Sequence, residues 1–253
     1  MKLLTVDIGN TSINIGLFKG QRLAGKVKLP TGEYRAYNYA IARFLKRCRV
    51  KPKEIDAIII SSVVPKALNR LKPVLRKKIG KNIFVLGKNI KAPIKNKYKK
   101  PRQVGQDRLV NAVAVKEIYG HPAVVIDFGT AVTFDCISKR GDYLGGLILP
   151  GIDLSFQALY EKTALLPKVR LYETKKIIGG STSESIRAGI LFGYGAMCDE
   201  IVRKIRKVIG KKPVVIATGG NSDLIKKHSN SIQIIDQDLT LKGLKITLQH
   251  STQ

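Results

Sequence analysis

Two aspartates, Asp7 and Asp127, each close an apolar run and are followed by an apolar residue, a glycine and small hydroxyl or amide residues. The first stretch reads Leu4-Thr5-Val6-Asp7-Ile8-Gly9-Asn10-Thr11, the second Val124-Val125-Ile126-Asp127-Phe128-Gly129-Thr130-Ala131. Glycine at 9 or 129 lets the backbone turn tightly and approach a phosphate with no Cβ in the way. Backbone N–H groups and the hydroxyls of Thr11 and Thr130 are then available to phosphate oxygens. Two carboxylates gathered in one cleft repel unless a cation sits with them. Mg²⁺, which takes a few carboxylate or water oxygens together with substrate phosphates, completes such an arrangement, with Asp7 touching it directly or through water. Singly, each Asp-x-Gly is an ordinary hairpin terminus. Together, 120 positions apart, they point to a phosphate clamp.

A third carboxylate stands in Gly105-Gln106-Asp107-Arg108, which opens the helical run LVNAVAVKEIYG. Asp107 is either the N-cap of that helix or a base that accepts a hydroxyl proton. A low pKa is tolerable in such a base, because phosphoryl transfer through a loose transition state depends mainly on positioning and charge neutralisation. Arg108 is suited to a bidentate pair with a substrate carboxylate. The Gly219-Gly220 doublet after another buried-type strand is either a plain turn or a flat approach for adenine or ribose.

The elements that must position these residues alternate along the chain. Strand patterns fall at 3–6, 13–18, 57–61, 83–86, 123–126, 132–137 and 214–217, and helical patterns at 37–49, 67–79, 108–119 and about 183–209. Ser181 and Glu184 form a capping box for the last helix, in which Gly189, Gly193 and Gly195 lower helix propensity and permit a close helix–helix approach, internal or across a dimer interface. The repeat at half-chain spacing implies two similar α/β halves facing across a cleft, with domains 1–118 and 119–253.

Composition narrows the class. No run approaches the roughly 18 apolar residues that span a bilayer, and MKLLTVD lacks the features of a secretory signal. Cys48, Cys136 and Cys198 make no CxxC pair or disulfide framework, so a cytoplasmic setting is expected. The net charge of +28 attracts polyanions and anionic small molecules alike. Without zinc-finger spacing, RNA-recognition aromatics or tryptophan, nucleic acid is not the expected partner, and the charge reads as solvated surface that also collects a nucleotide and an acidic substrate.

The ordered set DIGNT at 7–11, SSVVP at 61–65, GQDR at 105–108, DFGTAVTFD at 127–135, GGLILPG at 145–151, TALLP at 163–167 and GGST at 179–182 resembles the type III pantothenate kinases, within the superfamily of acetate and sugar kinases, actin and heat-shock chaperones. The resemblance covers nearly the whole chain. It implies an α/β fold of two duplicated ribonuclease-H-like domains facing across a nucleotide cleft, a homodimer, and transfer of the ATP γ-phosphate to the primary hydroxyl of pantothenate, the first step towards coenzyme A. By motif, Asp7, Ile8, Gly9, Asn10, Thr11, Ser12, Ile13 and Asn14 form the first phosphate loop and Thr130 contacts ATP. Asp107 is the general base; Tyr98, Gly105, Gln106, Asp107, Arg108 and Thr182 bind pantothenate, Arg108 through its carboxylate. Asp127 binds a monovalent cation, K⁺ or NH₄⁺, required alongside Mg²⁺. The alternatives are another phosphotransferase of the superfamily, with a different acceptor pocket around Tyr98, Arg108 and Thr182, or a nucleotide-dependent regulatory or nucleic-acid-binding protein, against which an intact Asp107 argues.

Overall fold

The computed structural model describes residues 1–80, 82–210 and 212–251. The chain forms two compact units, each built on a five-stranded mixed sheet flanked by helices. The first comprises Met1–Ile94, Lys100–Ala114 and the residues from Leu239 on; the second comprises Lys95–Lys99 and Val115–Asp238.

In the first unit β1 (Lys2–Ile8), β2 (Ser12–Lys19) and β3 (Arg22–Pro30) form an antiparallel meander, and β4 (Ala57–Ser62) and β5 (Ile83–Val85) continue it in parallel from the other side of β1. Alternation along β1 splits its side chains between two cores. Leu4, Val6 and Ile8 pack with α1 (Tyr37–Arg47) and α2 (Pro65–Ile79). Leu3 packs on the other face with Val110 of α3 (Gln106–Ile118) and with Leu241, Leu244 and Leu248 of the C-terminal helix. Proline at the first position of α2 is preorganised for the helix, and Gly80, at φ +67°, ends it in the left-handed conformation.

The second unit repeats the plan. In it β6 (Ala123–Phe128), β7 (Ala131–Ile137) and β8 (Tyr143–Pro150) are the meander, and β9 (Val214–Thr218) and β10 (Ile234–Ile235) are the parallel extension. Helices α4 (Ile152–Glu161), α5 (Thr182–Ile209) and α6 (Ser222–Lys226) contribute to its core, where Leu191, Cys198 and Val202 of α5 meet Val124, Ile126 and Phe128 of β6. The α/β fold with two duplicated halves is therefore as expected, and the two sheets also match one another in strand order and direction.

The contiguous division 1–118 and 119–253 differs from the compact units, because α7 (Leu239–Ser251) returns to the first sheet. Gly243 makes that return possible: a Cβ there would collide with the carbonyl oxygen of Val110. The glycines of α5 also behave differently from one another. Gly195 packs against the backbone of His228, in the segment after α6 rather than on a facing helix, whereas among the described residues nothing beyond the helix's own neighbouring backbone lies within 4 Å of a Cβ built at Gly189 or Gly193. The three cysteines are free thiols, and no described helix is long and apolar enough to cross a membrane.

Candidate active site

Asp7 sits at the carboxyl end of β1, beside the point where the sheet changes from antiparallel to parallel neighbours. Open α/β sheets bind ligands outside the carboxyl ends of strands at such a switch. The turn that follows is a closed structure: the Gly9 N–H donates to the Ser12 carbonyl at 3.0 Å. Asp7, Gly9, Ser12 and Asn14 are half-buried, and Asn10 and Thr11 are exposed at the tip. The side chains of Ile8 and Ile13 are fully buried in the core, so only their backbone is available to a ligand.

A residue far from this hairpin braces it. Thr31, only 4% exposed, donates its N–H to the Thr11 carbonyl at 3.1 Å and its hydroxyl to the Gly9 carbonyl at 2.7 Å. The buried Tyr37 hydroxyl in turn donates to the Thr31 carbonyl at 2.5 Å. Nothing in the spacing of the sequence marks Thr31, since its role arises only when β3 pairs with β2.

Asp107 lies in the first unit as well. The helix begins at Gln106, so Asp107 belongs to its first turn and is not the N-cap. Gly105 leaves room for the Asp107 carboxylate, since a Cβ there would force Asp107 Oδ1 to shift. The same oxygen accepts the Arg108 N–H at 2.9 Å. The Gln106 side chain packs against Gly87, at φ +75° just beyond β5, which brings the start of α3 to the carboxyl end of the sheet, the end that carries Asp7. Burial raises the Asp107 pKa above the ordinary aspartate value, and the Arg108 N–H and guanidinium offset only part of that rise. Arg108 itself is 9% exposed.

The other expected site residues belong to the second unit. Asp127 ends β6 as Asp7 ends β1, and Thr130 is exposed at its turn. The second turn is tighter: Phe128 pairs with Val132, leaving three intervening residues, while Ile8 pairs with Ile13 across four. Gly219, at φ +87°, lies under Asp127; a Cβ there would stand 2.6 Å from the Phe128 backbone and 2.7 Å from Asp127 Oδ1. Gly219 is thus a structural turn, whereas a Cβ at Gly220 would meet open space.

Tyr98 is held by strand-like pairing of its neighbours with Tyr143, through Lys97 N to Tyr143 O at 2.8 Å and Tyr143 N to Lys95 O at 2.9 Å. Its ring fills the space left by Gly145, where a Cβ would approach ring carbons to 2.8 and 3.0 Å. Thr182 is the first residue of α5 and is exposed. Half of the expected capping box is present, with Ser181 Oγ accepting the Glu184 N–H at 3.3 Å, while Glu184 Oε2 accepts from Gly180 N at 2.8 Å, one residue before the cap.

Among the described residues no three His, Cys, Asp or Glu side chains gather as a dedicated metal cage. A Mg²⁺ ion that keeps its waters and binds substrate phosphates needs only one or two carboxylates. Asp7 supplies one, and beside it the buried Ser61 hydroxyl has no hydrogen-bond partner among the described residues. Hard oxygen donors of this kind fit Mg²⁺.

A family model described as type III pantothenate kinase matches residues 3–204. The chain belongs to the type III pantothenate kinases. A relative of that description from Syntrophus aciditrophicus is 41% identical, covering 99% of this chain and all of its own length. Another from Dehalococcoides mccartyi is 41% identical, covering 98% and 97%. Among solved structures, a conserved Baf family protein of Campylobacter jejuni, described as a transcriptional activator, superposes with TM-score 0.63 at 22% identity over 98% of both chains. A ROK hexokinase from Thermus thermophilus gives 0.52 at 13% identity over the whole of both chains. At such identities these two likenesses speak to the fold of this type III pantothenate kinase alone.

Proposed function

We propose that this protein phosphorylates pantothenate, transferring the γ-phosphate of ATP to its primary hydroxyl to form 4'-phosphopantothenate, the opening step of coenzyme A synthesis. Family membership supports the reaction. The observation that carries the assignment of chemistry is the seat of Asp107: a half-buried carboxylate made room for by Gly105, at the same end of the first sheet as Asp7. Burial raises its pKa, which makes it a better proton acceptor than an ordinary aspartate.

Asp107 accepts the hydroxyl proton as the oxygen attacks phosphorus. Gly105, Gln106, Arg108, Tyr98 and Thr182 hold pantothenate, with the Arg108 guanidinium on its carboxylate. The hairpin from Asp7 to Asn14 offers backbone N–H groups and the Thr11 hydroxyl to the phosphates, and Thr130 contacts ATP. Asp7 would hold Mg²⁺, which would supply neutralisation of phosphate charge, and Asp127 would hold a monovalent cation, K⁺ or NH₄⁺. Exposed apolar side chains of the second unit, among them Ile148, Leu165 and Ile178, support assembly as a homodimer. The cytoplasm is the compartment that fits free thiols and these substrates.

The test is an assay with ATP, Mg²⁺ and K⁺ or NH₄⁺, offering pantothenate against a panel of hydroxy acids and sugars. Phosphopantothenate is the expected product, and its absence overturns the assignment. Omitting the monovalent cation is expected to abolish turnover. Sedimentation is expected to give twice the chain mass; a monomer at micromolar concentration overturns the homodimer.

A further inference from the structure

Ser61 is fully buried near the end of β4, yet its hydroxyl meets no hydrogen-bond partner among the described residues. Its strand runs parallel to β1 in a register that pairs Ser61 with Asp7. Paired residues project from the same face, so the Ser61 hydroxyl and the Asp7 carboxylate share the face that carries α3. A buried hydroxyl with no partner destabilises the protein that contains it, and an apolar residue at that position removes the penalty. The residues of β4 that precede Ser61 are apolar, with Ile58, Ile59 and Ile60 fully buried. The loop beyond the strand closes on the phosphate hairpin, with Val63 N donating to Ile8 O at 3.1 Å, so this part of β4 ends against the place where phosphates are assigned. The second unit repeats the pairing, setting buried Thr218 on β9 in register with Asp127.

We infer that Ser61 is a further binding residue of the Mg·ATP site, its hydroxyl completing with Asp7 the hydrogen-bond shell of the magnesium-bound water. The inference rests on the reading of Asp7 as part of the phosphate loop. It accounts for an orphaned polar atom at a strand end where a ligand brings new partners.

The experiment compares wild type, Ser61→Ala, the near-isosteric Ser61→Cys and Asp7→Asn in two measurements without pantothenate. These are thermal unfolding of the free protein, and binding of a non-hydrolysable ATP analogue by titration calorimetry with Mg²⁺ or with EDTA. Ser61→Ala is expected to unfold at or above the wild-type temperature, and to bind the analogue about 5- to 10-fold more weakly with Mg²⁺ only. Ser61→Cys, a weaker donor, is expected to fall between the two. A lower unfolding temperature for both Ser61 variants assigns the residue to the fold and overturns the inference, as does an equal affinity loss with EDTA. Wild type that binds while Asp7→Asn and Ser61→Ala both bind equally well overturns the phosphate-loop reading itself. Loss in Asp7→Asn alone overturns only the role of Ser61.

Discussion

The hydroxyl of Thr31 donates to the carbonyl of Gly9 at 2.7 Å, tying the start of the first phosphate turn to the end of β3. With the backbone bond from Thr31 N to Thr11 O at 3.1 Å, the turn is held on both sides. A binding loop with its geometry fixed in advance loses less freedom when its ligand arrives. Thr31→Val keeps the shape of the side chain but removes the hydroxyl donor. It is expected to raise the KM for ATP several-fold with little change in the KM for pantothenate, and to lower stability by about 1 kcal/mol. Steady-state kinetics with each substrate varied, together with denaturant unfolding, measure both effects.

Asp107 predicts a pH profile. Because burial raises its pKa, the acid limb of kcat/KM is expected above the roughly 3.9 of an unperturbed aspartate. As pH falls through the raised value the base takes up a proton and turnover declines. The same shift bears on stability with a definite sign. Between the ordinary and the raised pKa the folded state holds more proton than the unfolded state, so stability falls as pH rises through that window. Asp107→Asn removes this penalty. It is expected to unfold no more easily than wild type at neutral pH while losing about 10²- to 10⁴-fold in kcat. Robust turnover by a folded Asp107→Asn protein removes Asp107 from the role of base.

Neighbouring glycines make a controlled pair. Gly219→Ala forces a side chain into the left-handed region, at φ +87°, and against the Phe128 backbone, whereas the Cβ position at Gly220 is open. The first substitution is expected to cost at least 1–2 kcal/mol of stability and to displace Asp127, weakening the response to K⁺ or NH₄⁺. The second is expected to leave the unfolding temperature near wild type. A rise in the KM for ATP in Gly220→Ala alone places the nucleotide over that residue.

Gly145 separates the two substrates. At φ +110°, with the Tyr98 ring where its Cβ would be, Gly145→Ala displaces Tyr98 from its seat on β8. The expected outcome is a higher KM for pantothenate at unchanged KM for ATP, matched in direction by Tyr98→Ala. An effect on ATP alone removes Tyr98 from the acceptor site.

The strand-end positions of Asp7 and Asp127 were legible because strand ends announce themselves locally. An apolar run, an aspartate and a glycine record the alternation of the strand and the need for a tight turn, and the echo of Asp7 at Asp127 revealed the duplication that both sheets display. The edge strand β3 was harder to read: Leu23, Val27 and Leu29 alternate with exposed Arg22, Lys26 and Lys28, but Gly25 interrupts that apolar face and its residues are only half-buried. Helix α7 was not legible, since its membership of the first unit depends on a glycine meeting Val110, 133 positions away in the chain.

By itself, then, the sequence determined the family, the α/β class and the identity of the candidate base, since each depends on residue types at short spacing. The tertiary structure decided that Thr31 clamps the turn at Gly9, that Gly145 makes room for Tyr98, and that Ser61 stands in register with Asp7. Those relationships arise from pairing between strands distant in sequence. Pairing of this kind is set by how whole sheets pack their two faces, which no local spacing encodes.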